Sequence, residues 1–471
     1  MTVVHRRPIA PLDSIWLAMD RPQNLMIIQS VMFLQQVPDW DDVIRLTRTR
    51  VLERYPVFRQ RVEPPRLPGG RPHWVDDEDF DLTRHLHRTT LPAPGDDATL
   101  QRYMEQWAST PLDPAHPLWE VHLLDGHGPG AAVVVRTHHA LADGLALAKV
   151  LLSLTDDDSD GPQLSGGGVG GEPQVSPRGP GGGILGTAGG SARSMVTQTM
   201  RWVSPRGLRD ASHLALDTGL VLNDLLLGRN PDTPLSGPPG PAKRIAWTGP
   251  LPLDGPKAIG ALAGATVNDV LVSAMAAALR SYLLAHDAEP VDLMTMVPVN
   301  LRDLRAPLPP ELGNRFTLVY LRYPSAVAAP LARLAEAKRR MDWLKQSPEV
   351  ALTTVLMDGI GRVGRGLDRP VIDFFANKAL GVTTNVIGPR STRWLAGVPV
   401  DGVLGWVPGS GAHTVGVCIF TYAGTVRVGV LTDAERVPDP ERLVAAFEAE
   451  LDLLASLAAG SRTERRKERA H

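Results

Sequence analysis

The sequence predicts a mixed α/β protein built as two domains. Three observations carry that prediction. The chain of 471 residues exceeds what one hydrophobic core ordinarily fills, and its 43% hydrophobic content is enough for two. A Gly- and Pro-rich stretch, residues 160–193, interrupts the globular pattern. On both sides of it, alternating β-branched runs are interspersed with apolar stripes at helical spacing.

In chain order, Trp40, Val43, Ile44 and Val51 fall on one helical face after Pro38-Asp39. Leu100, Tyr103, Met104 and Trp107 recur at i, i+3, i+4 and i+7 and predict a second helix. Ala131-Ala132-Val133-Val134-Val135-Arg136 is a β-branched run that fits a buried strand, after which Leu145, Ala148, Leu151 and Leu152 return to helical spacing. These elements form an N-terminal domain, residues 1–159. Residues 160–193, with Gly166-Gly167-Gly168 and Gly181-Gly182-Gly183 among prolines, are too poor in apolar side chains to order themselves and are expected to be a flexible linker. They carry no GxxxxGK[ST] and are no phosphate cradle. Residues 194–240 read as a helical crossover. A C-terminal domain, 241–460, then repeats the mixture: a helix at 267–284, a strand at 291–297 and a helix at 331–344. Val415, Val417 and Ile419 alternate, Tyr422-Ala423-Gly424 turns, and Val426, Val428 and Val430 alternate again, which predicts a β-hairpin. Leu443, Phe447, Leu451 and Leu454 close the domain as an amphipathic helix, followed by a basic tail, 461–471.

Composition excludes several function classes. A net charge of -2 supplies no field that would draw the chain to nucleic acid. One cysteine, Cys418, cannot make an internal disulfide and reads as a small apolar residue, so a reducing, cytoplasmic location is expected. No uninterrupted run of about 18 apolar residues appears, so a spanning segment is not expected. Peripheral attachment to the inner membrane surface or to lipid droplets stays open, because Arg462, Arg465, Arg466, Lys467 and Arg469 offer a weak attraction for anionic lipid.

The chemistry concentrates in His138-His139-Ala140-Leu141-Ala142-Asp143-Gly144, where the chain leaves a strand for a helix. Imidazole titrates near neutrality and can take a proton from an attacking alcohol or thiol and then release it. Asp143 can fix the ring orientation or hold the turn, and Gly144 lets backbone approach closely where a side chain would block a substrate. A single buried histidine is more often structural, and a bare HxxxD is weak evidence. Zinc is not expected from His122, His127, His138 and His139: there is no HExxH and no Cys pair, and adjacent histidines point apart. No GxSxG nucleophile elbow is present.

The full pattern is more specific. HHxxxDG, preceded by Pro117-Leu118-Trp119-Glu120, resembles the bacterial wax ester synthase/acyl-CoA:diacylglycerol acyltransferase family, and the resemblance covers nearly the whole chain. Pro11-Leu12-Asp13-Ser14-Ile15-Trp16-Leu17, Pro111-Leu112-Asp113, Val267-Asn268-Asp269-Val270, Pro298-Val299-Asn300-Leu301-Arg302 and Leu312-Gly313-Asn314-Arg315 have family counterparts. Thr384-Asn385-Val386-Ile387-Gly388-Pro389 resembles the family's SNVPGP block, departing at Thr384 and Ile387. Residues Asn24-Leu25-Met26-Ile27-Ile28 depart from a Pro-Met-His-Val-like segment.

The resemblance implies two chloramphenicol-acetyltransferase-like domains with a tunnel between them. It implies long-chain acyl transfer from acyl-CoA to diacylglycerol or a fatty alcohol, with acyl-CoA a cosubstrate and no cofactor. His139, in the shared HxxxD spacing, is the implied general base, acting without an acyl-enzyme. His138 would support the turn or line the pocket. Asp143 would orient, through an arginine such as Arg136 or Arg302. Asn268 is the candidate oxyanion donor, an interaction that can lower a barrier by ~3 kcal/mol; locally, Asn268 and Asp269 read equally well as a helix N-cap after Thr266. Asn385 is either a turn residue before Gly388-Pro389 or a polar contact in the second domain's share of the site. Gly144, Pro117, Leu118 and Trp119 are expected against substrate. Two other readings stay open: acylation of another hydroxyl or amine in a lipid-coat or natural-product pathway, and a non-catalytic lipid-binding protein, against which the intact HHxxxDG weighs.

Overall fold

The computed structural model describes residues 5–67, 70–158, 228–303, 306–363 and 368–470. The expected linker, and the expected crossover up to residue 227, lie outside the described residues. Two sheets organise the rest. The first has six strands in the order Trp394–Leu395, Val398–Trp406, Ile27–Leu34, Gly130–His138, Trp119–His127, Leu86–Thr90. Gly130–His138 is the strand expected at 131–136. It is hydrogen-bonded on both sides, to Ile27–Leu34 and Trp119–His127, and its valine run is covered on both faces, so an uninterrupted apolar sequence fits it. Helices Trp40–Thr47 and Asp97–Ala108 lie where the stripes predict. Each begins at an aspartate, Asp39 or Asp96, whose carboxylate accepts a backbone N–H from the first turn.

The second sheet runs Thr383–Ile387, Val415–Tyr422, Thr425–Asp433, Lys243–Trp247, with Leu251–Pro252 added beside Thr425–Asp433. The expected hairpin is present, and its two turn residues, Ala423 and Gly424, both have positive φ (45° and 80°), the backbone that matches strand twist in a two-residue loop. Leu293–Asn300, expected at 291–297, pairs with Phe316–Tyr323 and joins this sheet through a bridge from Met296 to Val382. Helices Val267–Ala285, Pro330–Gln346 and Pro440–Ala470 pack on the second core. By length and composition Val267–Ala285 could cross a membrane, but 72% of its most apolar window is buried inside the protein, which makes it a core helix. Pro440–Ala470 continues as helix through the stretch expected as a basic tail.

The expected division at residues 241–460 does not follow the sheets. Val398–Trp406 leaves the second half and pairs antiparallel with Ile27–Leu34 of the first, from Val400 opposite Leu34 to Trp406 opposite Gln29. The reason is edge coverage: seven of the eight residues of Ile27–Leu34 are buried, and without the visiting strand its N–H and C=O groups would form an apolar open edge. Next to it, Trp394 bridges to Asp156 and the Arg393 guanidinium donates to the Thr155 carbonyl at 2.7 Å, so the halves are also stitched at residues 155–156.

Candidate active site

His139 stands immediately after the strand Gly130–His138, and three separated pieces of chain hold it. Its backbone N–H donates to the Met26 carbonyl at 2.7 Å. Its carbonyl accepts from Asn314 Nδ2 at 2.8 Å. Its imidazole lies flat on the Trp16 indole, with centroids 4.1 Å apart and planes 18° from parallel, and the Phe316 ring is 5.7 Å away. Burial pushes the imidazole pKa down to about 4, only partly opposed by the Asp143 charge, so the ring is neutral at physiological pH. Among the described residues, His139 Nδ1, Trp16 Nε1 and Asn314 Oδ1 are buried without hydrogen-bond partners. A neutral imidazole clamped by stacking, with Nδ1 unpartnered, keeps the proton-accepting capacity of that nitrogen unspent.

His138 faces differently. Its backbone N–H donates to Leu118 O, its Nδ1 accepts the Ala140 N–H at 3.1 Å, and its Nε2 is 3.7 Å from Asp20. It supports the turn.

Asp143 makes no hydrogen bond to His139. One carboxylate oxygen caps the helix Gly144–Ser153 by accepting the Ala146 N–H at 2.9 Å; the other accepts Arg302 Nε at 3.1 Å and the Arg315 N–H at 3.0 Å. Arg302 also donates to the Leu312 and Gly313 carbonyls. Of the two candidate partners, Arg302 is therefore the one Asp143 takes. Arg136 is bound to Glu120 and to the Trp107 and Thr110 carbonyls. The Gly313 N–H donates to Leu141 O at 3.0 Å, so the HHxxxDG turn is closed by the second half of the chain. Gly313 is glycine for two reasons: its φ is 70°, and a Cβ there would lie 3.0 Å from Asp13 Oδ2.

The remaining expectations divide. Pro117, Leu118 and Trp119, expected against substrate, are instead buried in the first core. Trp119 stacks on His85 at 4.6 Å and donates its indole N–H to Phe58 O at 2.7 Å; a large aromatic beside two apolar residues is placed by core packing. Gly144 opens its helix, and a Cβ there would meet only Val407 at 3.9 Å, an ordinary contact, so no close backbone approach demands glycine. Gly144→Ala should therefore leave the melting temperature within about 2 °C of the parent. A loss of activity without a loss of stability in that variant would place substrate against the methyl group.

Asn268 and Asn385 meet each other and not His139. Thr266 is the N-cap of Val267–Ala285 and Asp269 completes a reciprocal capping box, leaving Asn268 out of the cap. Asn385 Nδ2 donates to Asn268 Oδ1 at 2.7 Å, and both line a partly open cavity within the second half, whose lining does not include His139 among the described residues. A second crevice lies at the seam, between Leu25, Ile27 and Gln29 of the first half and Trp406, Val415 and Leu431 of the second. The Asn24 to Ile28 segment, where the chain departs from the family pattern, contributes to that wall. One His/Glu cluster, His87, Glu120 and His122, has its potential ligand atoms within 4.8 Å of one another. Glu120 already carries Arg136, and His122 is bonded at one nitrogen to Tyr103 and at the other to Glu120, so the cluster is a satisfied polar network.

Comparison with known proteins decides what this geometry belongs to. Residues 9–271 match the wax ester synthase/diacylglycerol acyltransferase catalytic domain, and residues 312–455 match the WS/DGAT C-terminal domain. The chain belongs to the wax ester synthase/diacylglycerol acyltransferase family. It is an acyltransferase. A putative diacylglycerol O-acyltransferase of Mycobacterium tuberculosis is 28% identical over 82% of this chain and 78% of its own. The O-acyltransferase WSD of Acinetobacter baylyi is 26% identical over 96% of this chain and 98% of its own. Among solved structures, a wax ester synthase/diacylglycerol acyltransferase from Marinobacter aquaeolei VT8 superposes with a TM-score of 0.68 at 22% identity, covering 96% of this chain and 99% of that one. The first condensation domain of the calcium-dependent antibiotic synthetase gives 0.58 at 17%, covering 97% and 96%. The fold is thus the expected two-domain acyltransferase architecture.

Within this acyltransferase the residues that sequence reasoning left without roles are Asp13, Trp16, Asn314 and Arg315. Their signal was present, in the Pro11 to Leu17 and Leu312 to Arg315 blocks, but nothing local says that the two blocks touch. Asp13 Oδ1 accepts both the backbone N–H and the Nδ2 of Asn314 at 2.8 Å, and burial pushes its carboxyl up to about 6 against the opposing effect of those bonds. A carboxyl raised above its unfolded value stabilises the fold at low pH. That contribution, ~3 kcal/mol, is present below about pH 4 and lost as pH rises through about 6. Asp13→Asn keeps an acceptor for Asn314 and removes the ionisation. Denaturant midpoints at pH 5 and pH 7.5 should show the variant gaining on the parent at the higher pH; parallel midpoints would mean that Asp13 is not ionising inside the fold.

Proposed function

We propose that the protein transfers a long-chain acyl group from acyl-CoA to the hydroxyl of a lipid, diacylglycerol or a fatty alcohol, with His139 as general base. The observation that carries this is the neutral, stacked His139 imidazole at the head of HHxxxDG, with Nδ1 unpartnered. In the reaction His139 takes the acceptor's hydroxyl proton as the oxygen attacks the thioester carbonyl. The C–S bond breaks and the imidazolium returns the proton to the departing thiolate. The chemistry needs no resident cofactor. The names of the relatives supply the substrate class.

Radiolabelled acyl-CoA offered with diacylglycerol, long-chain alcohols and short alcohols tests the reading. Labelled triacylglycerol or wax ester is expected. Product only from a small or amine acceptor would move the assignment to another biosynthetic pathway, a reading favoured by the altered Asn24 to Ile28 wall of the seam crevice. No product from any acceptor would leave a lipid-binding role. Because these acceptors reside in membranes or droplets, the proposal includes reversible peripheral binding on the cytoplasmic side. The protein should float with anionic vesicles, and salt should weaken the association; failure to float with any lipid would favour a water-soluble acceptor.

A further inference from the structure

The cavity within the second half is walled by Val272, Val297, Pro298, Leu321, Met341 and Ile419, and its polar side chains divide into spent and unspent. The Thr383 hydroxyl is shared with Thr295 and Tyr323 at 2.9 and 2.8 Å. The bond between Asn385 Nδ2 and Asn268 Oδ1 fixes both amides. What remains in the two carboxamides is the Asn268 Nδ2 N–H pair and the second Asn385 N–H as donors, beside one acceptor, Asn385 Oδ1, which is buried with no partner among the described residues. A buried acceptor without a partner costs free energy until a ligand supplies an N–H or O–H.

We infer that this Asn268–Asn385 pair recognises a secondary amide of the acyl donor, in the pantetheine arm of acyl-CoA, and that the cavity is the donor's arm site. A secondary amide presents a carbonyl and an N–H, the complement of a free donor and the free acceptor, inside an otherwise apolar channel. The acceptor lipid is placed elsewhere: diacylglycerol and a fatty alcohol each carry a single hydroxyl, which the reaction needs at His139, and His139 is not in the described lining of this cavity. Asn268 is thereby a binding residue for the donor and not the oxyanion donor beside His139. The inference rests on acyl-CoA being the acyl source.

The test compares two thioester donors with the same acyl chain, acyl-CoA and an S-ethyl thioester that lacks both pantetheine amides, with the parent, Asn268→Leu and Asn385→Leu. The reading is the ratio of the two kcat/KM values. Each substitution should lower that ratio about ten-fold, chiefly through KM for acyl-CoA, the worth of one buried hydrogen bond. Equal proportional losses on both donors, carried by kcat, would return Asn268 to the oxyanion and overturn the inference; an unchanged ratio would overturn it too. Should the leucine variants fail to fold, the parent itself decides. Acyl-CoA N-methylated at both pantetheine amides keeps its length but loses both N–H groups, and its kcat/KM should fall about ten-fold or more; equal use of the two forms overturns the inference. Turnover of neither thioester by the parent would overturn the donor reading itself, an outcome distinct from all of these.

Discussion

Replacing His139 with alanine or glutamine should lower acyl transfer by ~10²–10⁴-fold, the span expected when a positioned general base is removed. The substitution also deletes a ring stacked on Trp16, so initial rates are to be read beside a thermal melt, with glutamine the milder change in volume. Because burial holds this imidazole near 4, kcat/KM of the parent should stay level through neutral pH and fall on an acid limb near 4, where the ring protonates and stops being a base. An acid limb near the ordinary histidine value would show that the ring is solvated when it works. Activity of His139→Gln within a few-fold of the parent would remove it from the mechanism. His138→Ala should cost less, since that ring serves Ala140 and faces Asp20; a larger loss there than at His139 would exchange their roles.

Arg302→Met should cost roughly 3–5 kcal/mol, the range expected when one member of a buried ion pair is removed. Both members of the Arg302–Asp143 pair are nearly inaccessible, 7% and 5% exposed, so the substitution strands a buried carboxylate and leaves the Leu312 and Gly313 carbonyls short of a donor. Denaturant midpoints measure it. Combining Arg302→Met with Asp143→Asn should recover part of the loss, because the charge is then gone while an acceptor remains for the Ala146 and Arg315 N–H groups. Activity should fall with stability in the single variant, since the same bonds tie the HHxxxDG turn to the second half. A midpoint equal to the parent's would mean that the Arg302–Asp143 pair does not help hold the two halves together.

The elements that sequence reasoning located share one property: their signal is periodic and local. The Val133 to Val135 run, the Leu100 to Trp107 stripe and the Val415 to Val430 hairpin are each readable from the alternation of burial along one segment. The HHxxxDG turn was legible in the same way, as polar chemistry inserted between a buried strand and an apolar helix. Phe316–Tyr323, which also builds the site, was not marked as a strand.

What sequence determined by itself was therefore the mixed α/β class, the two-core organisation, the position of the HHxxxDG turn and the family to which the chain belongs. Tertiary structure alone decided which distant groups meet there: Trp16 on His139, Asn314 between Asp13 and the His139 carbonyl, Arg302 rather than Arg136 on Asp143, and Asn385 on Asn268. It also moved Val398–Trp406 into the other half's sheet and withdrew Trp119 into the core. Periodicity records only which face of an element is buried. The partner of a buried polar group is set by the need to satisfy its donor or acceptor across the fold, and that need has no expression in the spacing of residues along the chain.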